Sequence, residues 1–244
     1  MQKDLDRLGE WAVVNAMRIN LNKSKAVCFM RARSRDPVNY LLMDTLIPEA
    51  SSCKYLGIIL RSDLSWADQV NYMVKKAWKA LHFTIRILEK ENSNTKSLAY
   101  MSLLRPILEC GAACWDPYRE GQISVIDKVQ KRVTKFAYHT NRLNWETLAS
   151  HRKLSCIYAL FKAYSGERAW KAIGDRIQWP HYLSRVDHDW KIRSRRQKMD
   201  IGKYSFLNRT IHHWNQLPAE VLGTLPRKQI TFKKRVRKAI IEVS

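Results

Sequence analysis

The sequence predicts an α+β fold that is mostly helical. Apolar residues recur with the 3.6-residue period of an amphipathic helix over long stretches of the chain, whereas only short runs have the β-branched and aromatic character of strands. Hydrophobic residues make up 45% of the 244 residues and include nine Trp, so the chain can bury a sizeable core. These observations exclude a wholly disordered basic protein.

The first part of the chain predicts a helix, a turn and a strand in that order. Leu5, Leu8 and Ala12 recur at helical spacing, and the helix is expected to end near Asn15. The polar segment 20–25 predicts a turn, and the apolar run 26–30 predicts a short strand.

Two more short runs, 40–43 and 55–60, have strand character. They flank a polar segment, and we expect them to pair as one small antiparallel sheet. Gly57 lies inside the second run, where a glycine indicates either a bulge or the close approach of another backbone.

Three helices are predicted in the middle of the chain, over 68–88, 94–108 and 122–137. Pro106 is expected to kink or interrupt the second helix, because proline lacks the N–H that a helix interior needs. Short loops join the three helices, so a bundle is the simplest way to bury their apolar stripes. Further helices are predicted over 145–164, 167–177, 204–214 and 231–243.

The charge of the chain points to an anionic partner. Lys and Arg number 44 against 22 Asp and Glu, which gives a formal net charge of +22. The segment 181–244 alone carries 15 Lys and Arg and five Asp and Glu. Nucleic acid is the expected class of partner. Without a long apolar run or an N-terminal apolar signal core, we expect no membrane association and a cytoplasmic or nuclear location, not a secreted protein.

Several short motifs occur in a fixed order along the chain. They are Asp4-Leu5-Asp6-Arg7-Leu8-Gly9-Glu10-Trp11, Asn20 with Lys23-Ser24-Lys25, Tyr55-Leu56-Gly57, Leu104-Arg105-Pro106-Ile107-Leu108-Glu109-Cys110-Gly111 with Trp115, and Trp214-Asn215-Gln216-Leu217-Pro218. This order resembles the C-terminal portion of the reverse transcriptase of non-LTR retrotransposons of the jockey-like LINE type. The resemblance covers nearly the whole chain.

The resemblance implies four segments. Residues 1–39 would be the end of a polymerase palm, 40–66 primer-grip-like strands, 67–138 a thumb-like three-helix bundle, and 139–244 a basic C-terminal extension. Polymerases of this family hold Mg²⁺ ions on a carboxylate cluster that includes two adjacent aspartates, and this chain contains no Asp-Asp pair. We therefore expect no cofactor in this chain and no polymerase activity from it alone, with Mg²⁺ implied only for the full-length enzyme.

The resemblance also implies the candidate site residues. Lys23 would lie near the leaving phosphates as an accessory group in the full enzyme, and Tyr55, Leu56 and Gly57 would form the primer grip. Basic residues of the first and third bundle helices would contact an RNA–DNA duplex formed by template and primer, with little sequence preference. These are Lys75, Lys76, Lys79, Lys128, Lys131, Arg132 and Lys135.

Two other functions fit parts of the sequence. A stand-alone basic nucleic-acid-binding protein would have the same composition, and an in-frame Asp-Asp hairpin encoded upstream would distinguish the two. A metal-dependent nuclease would use Asp187, His188 and Asp189 with other histidines, because carboxylate and imidazole bind divalent metals. Adjacent side chains point in opposite directions on a strand, which favours a polar loop with surface histidines over a metal site.

Overall fold

The computed structural model describes residues 1–29, 39–137, 146–184, 187–223 and 229–243 and divides the chain into two units, Met1–Gln69 and Val70–Ser244. The helices are α1 (Gln2–Val14), α2 (Ala67–Ile87), α3 (Ser93–Ala99), α4 (Arg105–Glu109), α5 (Glu120–Ala137), α6 (Leu148–Tyr164), α7 (Lys171–Gly174), α8 (Asp200–Lys203), α9 (Phe206–Asn215), α10 (Ala219–Leu222) and α11 (Gln229–Val243). Short 3₁₀ turns lie at Leu21–Lys23 and Arg168–Trp170, and the strands are β1 (Leu41–Leu42), β2 (Thr45–Leu46), β3 (Ser52–Tyr55) and β4 (Ile58–Arg61).

In the first unit, α1 packs against β1 and ends at Val14, next to the predicted Asn15. The prediction of a strand at 26–30 is wrong for the described residues 26–29. Ala26 forms only an isolated parallel bridge with Glu49, through bonds to the backbone on either side of that residue. Pro48 precedes Glu49 and has no N–H to donate, so a ladder cannot extend in that direction. Residue 30 lies outside the described residues.

The predicted pairing of 40–43 with 55–60 is also wrong. The structure instead contains two separate antiparallel hairpins, β1–β2 and β3–β4. The run 55–60 holds a turn at Leu56 and Gly57, whose φ angles of 46° and 86° are both positive, as a two-residue type I′ hairpin turn requires. Gly57 is thus a turn residue and not a bulge, because Tyr55 and Ile58 close the hairpin on either side of it.

Two of the three central helices pack together as the apolar stripes predict. Helices α3 and α5 are in contact, and the Ser93 hydroxyl donates to the Ala137 carbonyl at 2.6 Å. A π-helical turn at Tyr100–Leu104 separates α3 from α4, and Pro106 lies at the start of α4. The second helix is therefore interrupted next to Pro106, which has no N–H to donate to the preceding turn. Helix α2 buries Val70, Met73, Val74, Ala77 and Leu81. Its packing on α3 and α5 stays a prediction.

The core of the second half of the chain is built around α6, which contacts α4, α9 and α11. Phe161 of α6 stacks on Phe232 of α11, with ring centroids 4.3 Å apart. The Tyr158 hydroxyl donates to the Lys233 carbonyl at 2.8 Å. The terminal helix α11 therefore docks on α6. No helix among the described residues is long and apolar enough to span a membrane.

The Trp214-Asn215 motif holds an irregular segment onto this core. The fully buried Trp214 indole donates to the Trp190 carbonyl at 2.9 Å. The Asn215 amide binds both backbone groups of Ile192, accepting from its N–H at 2.9 Å and donating to its carbonyl at 2.8 Å. Because Ile192 is fully buried, no solvent can replace these two bonds. The Asn215 side chain thus satisfies the two backbone groups of Ile192, as the backbone of a neighbouring strand would do in a sheet.

We expect Asn215→Ala to lower the free energy of unfolding by about 2 to 4 kcal/mol, because two buried backbone groups would lose their partners. Urea denaturation monitored by circular dichroism measures this change. Gln216→Ala is the matched control, since its side chain is exposed and hydrogen-bonds the His212 ring at 3.1 Å without holding any buried backbone group, and it should cost less than about 0.5 kcal/mol. Equal losses from both variants would contradict the role assigned to Asn215.

Candidate nucleic-acid interface

Four cations form one exposed stripe along α5. Lys128, Lys131, Arg132 and Lys135 stand at positions i, i+3, i+4 and i+7, so they share a helix face. All four are exposed, whereas Ile126, Val129, Val133 and Ala137 are buried on the other side. We call this group the α5 stripe. The amphipathic pattern keeps it in solvent, because burying the apolar residues fixes which way the cations point.

Helix α2 carries a second exposed group of cations, which we call the α2 stripe. Lys75, Lys76 and Lys79 lie away from the buried residues of that helix. Arg86 is also exposed and lies at the helical spacing i+7 from Lys79, so the cationic face continues toward the C-terminal end of α2.

The remaining predicted site residues lie in the first unit. The β3–β4 turn presents Tyr55 and Leu56, which are 64% and 85% exposed. A Cβ built on Gly57 would meet no atom within 4 Å, so the turn tip faces open space. The Ile59 N–H donates to the buried Gln69 side chain at 2.9 Å, which anchors the hairpin one residue after the pair that closes the turn. Lys23 is exposed at the end of the 3₁₀ turn.

A partly buried ion cluster in the second unit joins Asp116, Arg152 and Arg209. The Asp116 carboxylate accepts a hydrogen bond from Arg152 Nε at 2.8 Å and lies 3.3 Å from Arg209 Nη1. Arg209 Nη1 also donates to the Asp116 carbonyl at 3.0 Å. The Arg152 side chain is only 3% exposed, and its Nη1 has no partner among the described residues. One carboxylate therefore compensates two guanidiniums contributed by α6 and α9.

Arg105 and Glu109, from the motif that begins at Leu104, belong to a second polar network. Arg105 donates to Glu109 at 2.6 Å and to Nδ1 of His151 at 2.8 Å, and Nε2 of His151 lies 2.9 Å from Glu146. Because arginine can only donate, Nδ1 of His151 must accept and the imidazole is neutral. Burial, followed by the neighbouring guanidiniums of Arg105 and Arg237, lowers the pKa of His151 despite the carboxylates.

The structure does not support a metal site. Among residues 1–29, 39–137, 146–184, 187–223 and 229–243, no group of three or more His, Cys, Asp or Glu side chains could hold a metal ion. The Asp187 carboxylate binds Lys191, whose ammonium holds its pKa down at about 2, and it accepts the Ser184 N–H at 2.9 Å. The described residues therefore offer no donor set that fits the Mg²⁺ ions of a polymerase, and no step through a metal is derived. His188 is half-buried, whereas the predicted polar loop would leave its histidines at the surface.

Sequence reasoning missed a set of basic residues that line two cavities in the second unit. They are Arg176, Arg193, Arg195, Lys203 and Arg209. Their only common signal was the positive charge of the C-terminal segment, because no helical or strand period relates them. The structure brings them together from irregular segments and from α8 and α9.

Comparison with known proteins gives one distant similarity. Over 132 residues, the chain is 27% identical to a protein described as a probable RNA-directed DNA polymerase from transposon X-element of Drosophila melanogaster. The match covers 53% of this chain and 14% of that relative, so the chain spans a small part of the relative's length. No protein-family model and no solved structure matches the chain. The resemblance inferred from the motifs is confirmed at this coarse level, as a relationship to a transposon RNA-directed DNA polymerase.

We expect Asp116→Ala to lower the free energy of unfolding by about 3 to 5 kcal/mol, because the buried Arg152 guanidinium would lose its counter-charge. Glu167→Ala removes the carboxylate of an exposed pair with Lys162, whose N–O distance is 3.8 Å, and should cost at most about 1 kcal/mol. Chemical denaturation of both variants at equal salt provides the comparison. A similar loss in the two would show that the Asp116 cluster is not effectively desolvated.

Acidification should destabilise the fold through His213. Burial, together with Lys153, His212 and Arg209, lowers the pKa of His213 from 6.5 to about 4. Between these values the unfolded chain binds a proton that the folded chain does not, so stability falls as the pH decreases from 6.5 toward 4. The pKa values of His151 and His188 are also lowered, and both act in the same direction.

The change in unfolding free energy between about pH 7.5 and about pH 5 measures this effect. His213→Gln should reduce that change in unfolding free energy. An undiminished pH dependence in His213→Gln would mean that this imidazole is protonated in the folded protein.

Proposed function

We propose that this chain is part of the RNA-directed DNA polymerase of a non-LTR retrotransposon of the jockey-like LINE type. In this proposal its residues bind the RNA–DNA duplex of template and primer and do not supply the metal-binding carboxylates. The first unit is the end of the palm with a primer-grip hairpin, α2 to α5 form a thumb-like bundle, and the remainder is a basic C-terminal extension. The similarity to a transposon polymerase supports the class.

The α5 stripe is the observation that carries the binding proposal. Its cations span seven residues of helix, or about 10 Å at 1.5 Å per residue. One strand of a duplex places a phosphate about every 3.4 Å along its axis, so this length faces about three phosphates. Cations on a rigid, docked helix lose less freedom on binding than cations on a flexible tail. In this proposal the α5 stripe contacts the phosphates and not the base edges, because an enzyme that copies any template must bind without sequence preference.

The α2 stripe supplies a second line of phosphate contacts in this proposal. Lys75 and Lys79 are one helical turn apart, and Lys76 extends the same side. None of the three has an ion-pair partner among the described residues, so their ammonium groups can release counterions when they meet phosphates.

The hairpin tip would contact the primer. Gly57 leaves open space at the turn, which lets a sugar–phosphate backbone approach, and Tyr55 provides an exposed ring beside it. Lys23 would serve as an accessory cation near the phosphates of the full enzyme. Its exposure at the end of a short turn is compatible with this role.

The alternative is a stand-alone basic protein that binds nucleic acid without an enzymatic role. The net charge of +22 favours it, because charge of this size attracts any polyanion without a defined site. The two functions differ in where the affinity resides. A duplex site localises it on the stripes, whereas diffuse attraction distributes it over all exposed cations.

We expect binding of an RNA–DNA hybrid to weaken with salt, with a slope of log K against log salt of about −3 to −5 if about four to six cations contact phosphates. Replacing Lys128, Lys131 and Lys135 together by Gln should reduce the magnitude of the slope by about 2 to 3 units and leave the fold intact, because solvated lysines add little stability. Fluorescence anisotropy of a labelled hybrid over a salt series measures the slope.

The matched control removes three exposed cations from the other unit, as Lys3→Gln, Arg7→Gln and Arg18→Gln combined. This variant should change the slope by less than one unit. If both triple variants change affinity and slope equally, the binding comes from diffuse charge and the proposed duplex site on α5 is wrong.

A further inference from the structure

Two adjoining cavities lie in the second unit, away from the residues that the sequence predicted. Their volumes are about 480 and 570 Å³, and Arg195, Gln197 and Asn208 line both. The first also contains Arg176 and Arg193, and the second contains Tyr118, Lys203, Tyr204 and Arg209. We call these two cavities together the basic groove. Each cavity lies within the range of about 300 to 1,000 Å³ that is typical of small-molecule sites.

The charge of the basic groove is strongly positive. Among the described residues that line it, only Asp116 is acidic, and that carboxylate is already paired with Arg152 and Arg209. Among the described residues, the guanidiniums of Arg176 and Arg193 have no hydrogen-bonded or ion-paired partner. Like charges held together in a concave surface repel one another unless an anion enters. The groove is therefore complementary to phosphate groups.

An aromatic pair forms part of the wall. The Tyr118 and Tyr204 rings stack in parallel, with centroids 4.4 Å apart and an angle of 3° between the ring planes. The Lys203 ammonium lies 5.2 Å from the Tyr204 centroid. Aromatic rings flanked by cations are the arrangement with which proteins bind unpaired bases and their phosphates together, because every base has a face that can stack.

These features distinguish a single strand from a duplex. The bases of a duplex face inward and are already stacked, so they cannot meet the tyrosines, and a cavity of this size cannot admit a double helix. An unpaired strand can place its phosphates on the arginines and a base against the rings. The groove also offers the amide of Gln197 for hydrogen bonds to base edges, whereas the amides of Gln178 and Asn208 are already bonded to Arg195 and to Gly202.

We propose that the basic groove is a binding site for single-stranded nucleic acid, with phosphates on Arg176, Arg193 and Arg195 and a base stacked at Tyr204. This proposal rests on the proposed function for the class of ligand, but it concerns a site separate from the α2 and α5 stripes. It gives the C-terminal extension a task of its own, namely to hold an unpaired part of the strand whose paired part the stripes bind.

The test uses the full chain and three labelled probes of about 12 nucleotides, which is within the site sizes known for single-strand binders. The probes are an adenylate RNA, an abasic strand of equal charge, and an RNA–DNA hybrid. The groove variant combines Arg176→Gln, Arg193→Gln and Arg195→Gln. It should reduce the salt slope for the adenylate RNA by about 2 units, at about 0.7 per phosphate contact, and affect the hybrid less. The Lys3, Arg7 and Arg18 triple is the control of equal charge loss.

Substitution at Tyr204 tests the base contact. Tyr204→Ala should weaken adenylate RNA about fivefold to a hundredfold, and Tyr204→Phe, which keeps the ring, should bind like the parent. Neither change should affect the abasic strand, which has no base to stack. Thermal melting of each variant establishes whether it is folded. If Tyr204→Ala does not fold, the triple arginine variant still tests the groove independently.

The outcomes separate this proposal from the previous one. The groove proposal is overturned if its triple variant behaves like the control on adenylate RNA, if it weakens strand and hybrid equally, or if Tyr204→Ala and Tyr204→Phe bind alike. Failure of the Lys128, Lys131 and Lys135 variant to weaken the hybrid overturns only the duplex site on α5. A groove effect on single strands that persists in that case supports the groove alone.

Discussion

The Asp116 carboxylate is the interaction on which the second unit most depends. It lies in the turn after the buried Trp115 and binds guanidiniums from two helices, Arg152 of α6 and Arg209 of α9. The buried Arg152 and the half-buried Arg209 would repel each other, and the single carboxylate converts that repulsion into a link between three segments. The same link sets the wall of the basic groove, because Asp116 and Arg209 both line it and Tyr118 follows two residues later.

The Trp214-Asn215 motif has a complementary role. A polar, irregular segment such as 187–199 has no apolar stripe to hold it, so its position must come from specific bonds. Trp214 and Asn215 provide these bonds at Trp190 and Ile192, immediately before Arg193 and Arg195. The Trp214-Asn215 motif therefore has a physical role: it positions cationic residues that no local period relates.

A chain with a net charge of +22 folds because its cations and its apolar residues lie on different sides of the same helices. Helix α5 buries Ile126, Val129 and Val133 and leaves Lys128 and Lys135 in solvent, where repulsion is screened. Phosphates that displace counterions from such a face gain affinity without any change in the fold. Helix α6 is the exception, because it is buried on more than one side and its charged Arg152 is paired with Asp116 inside the protein.

The sequence by itself determined the helices with a clear apolar period, the interruption at Pro106 and the exposure of the α2 and α5 cations. It determined these because the 3.6-residue period relates neighbours within one turn or two. The sequence did not determine the hairpin at Leu56 and Gly57, where apolar residues on both sides of a turn looked like one strand. Nor did it reveal the basic groove, whose Tyr118, Arg176 and Tyr204 are far apart in the chain. Only tertiary structure decided these features, because strand pairing and cavity walls depend on long-range contacts that leave no local period.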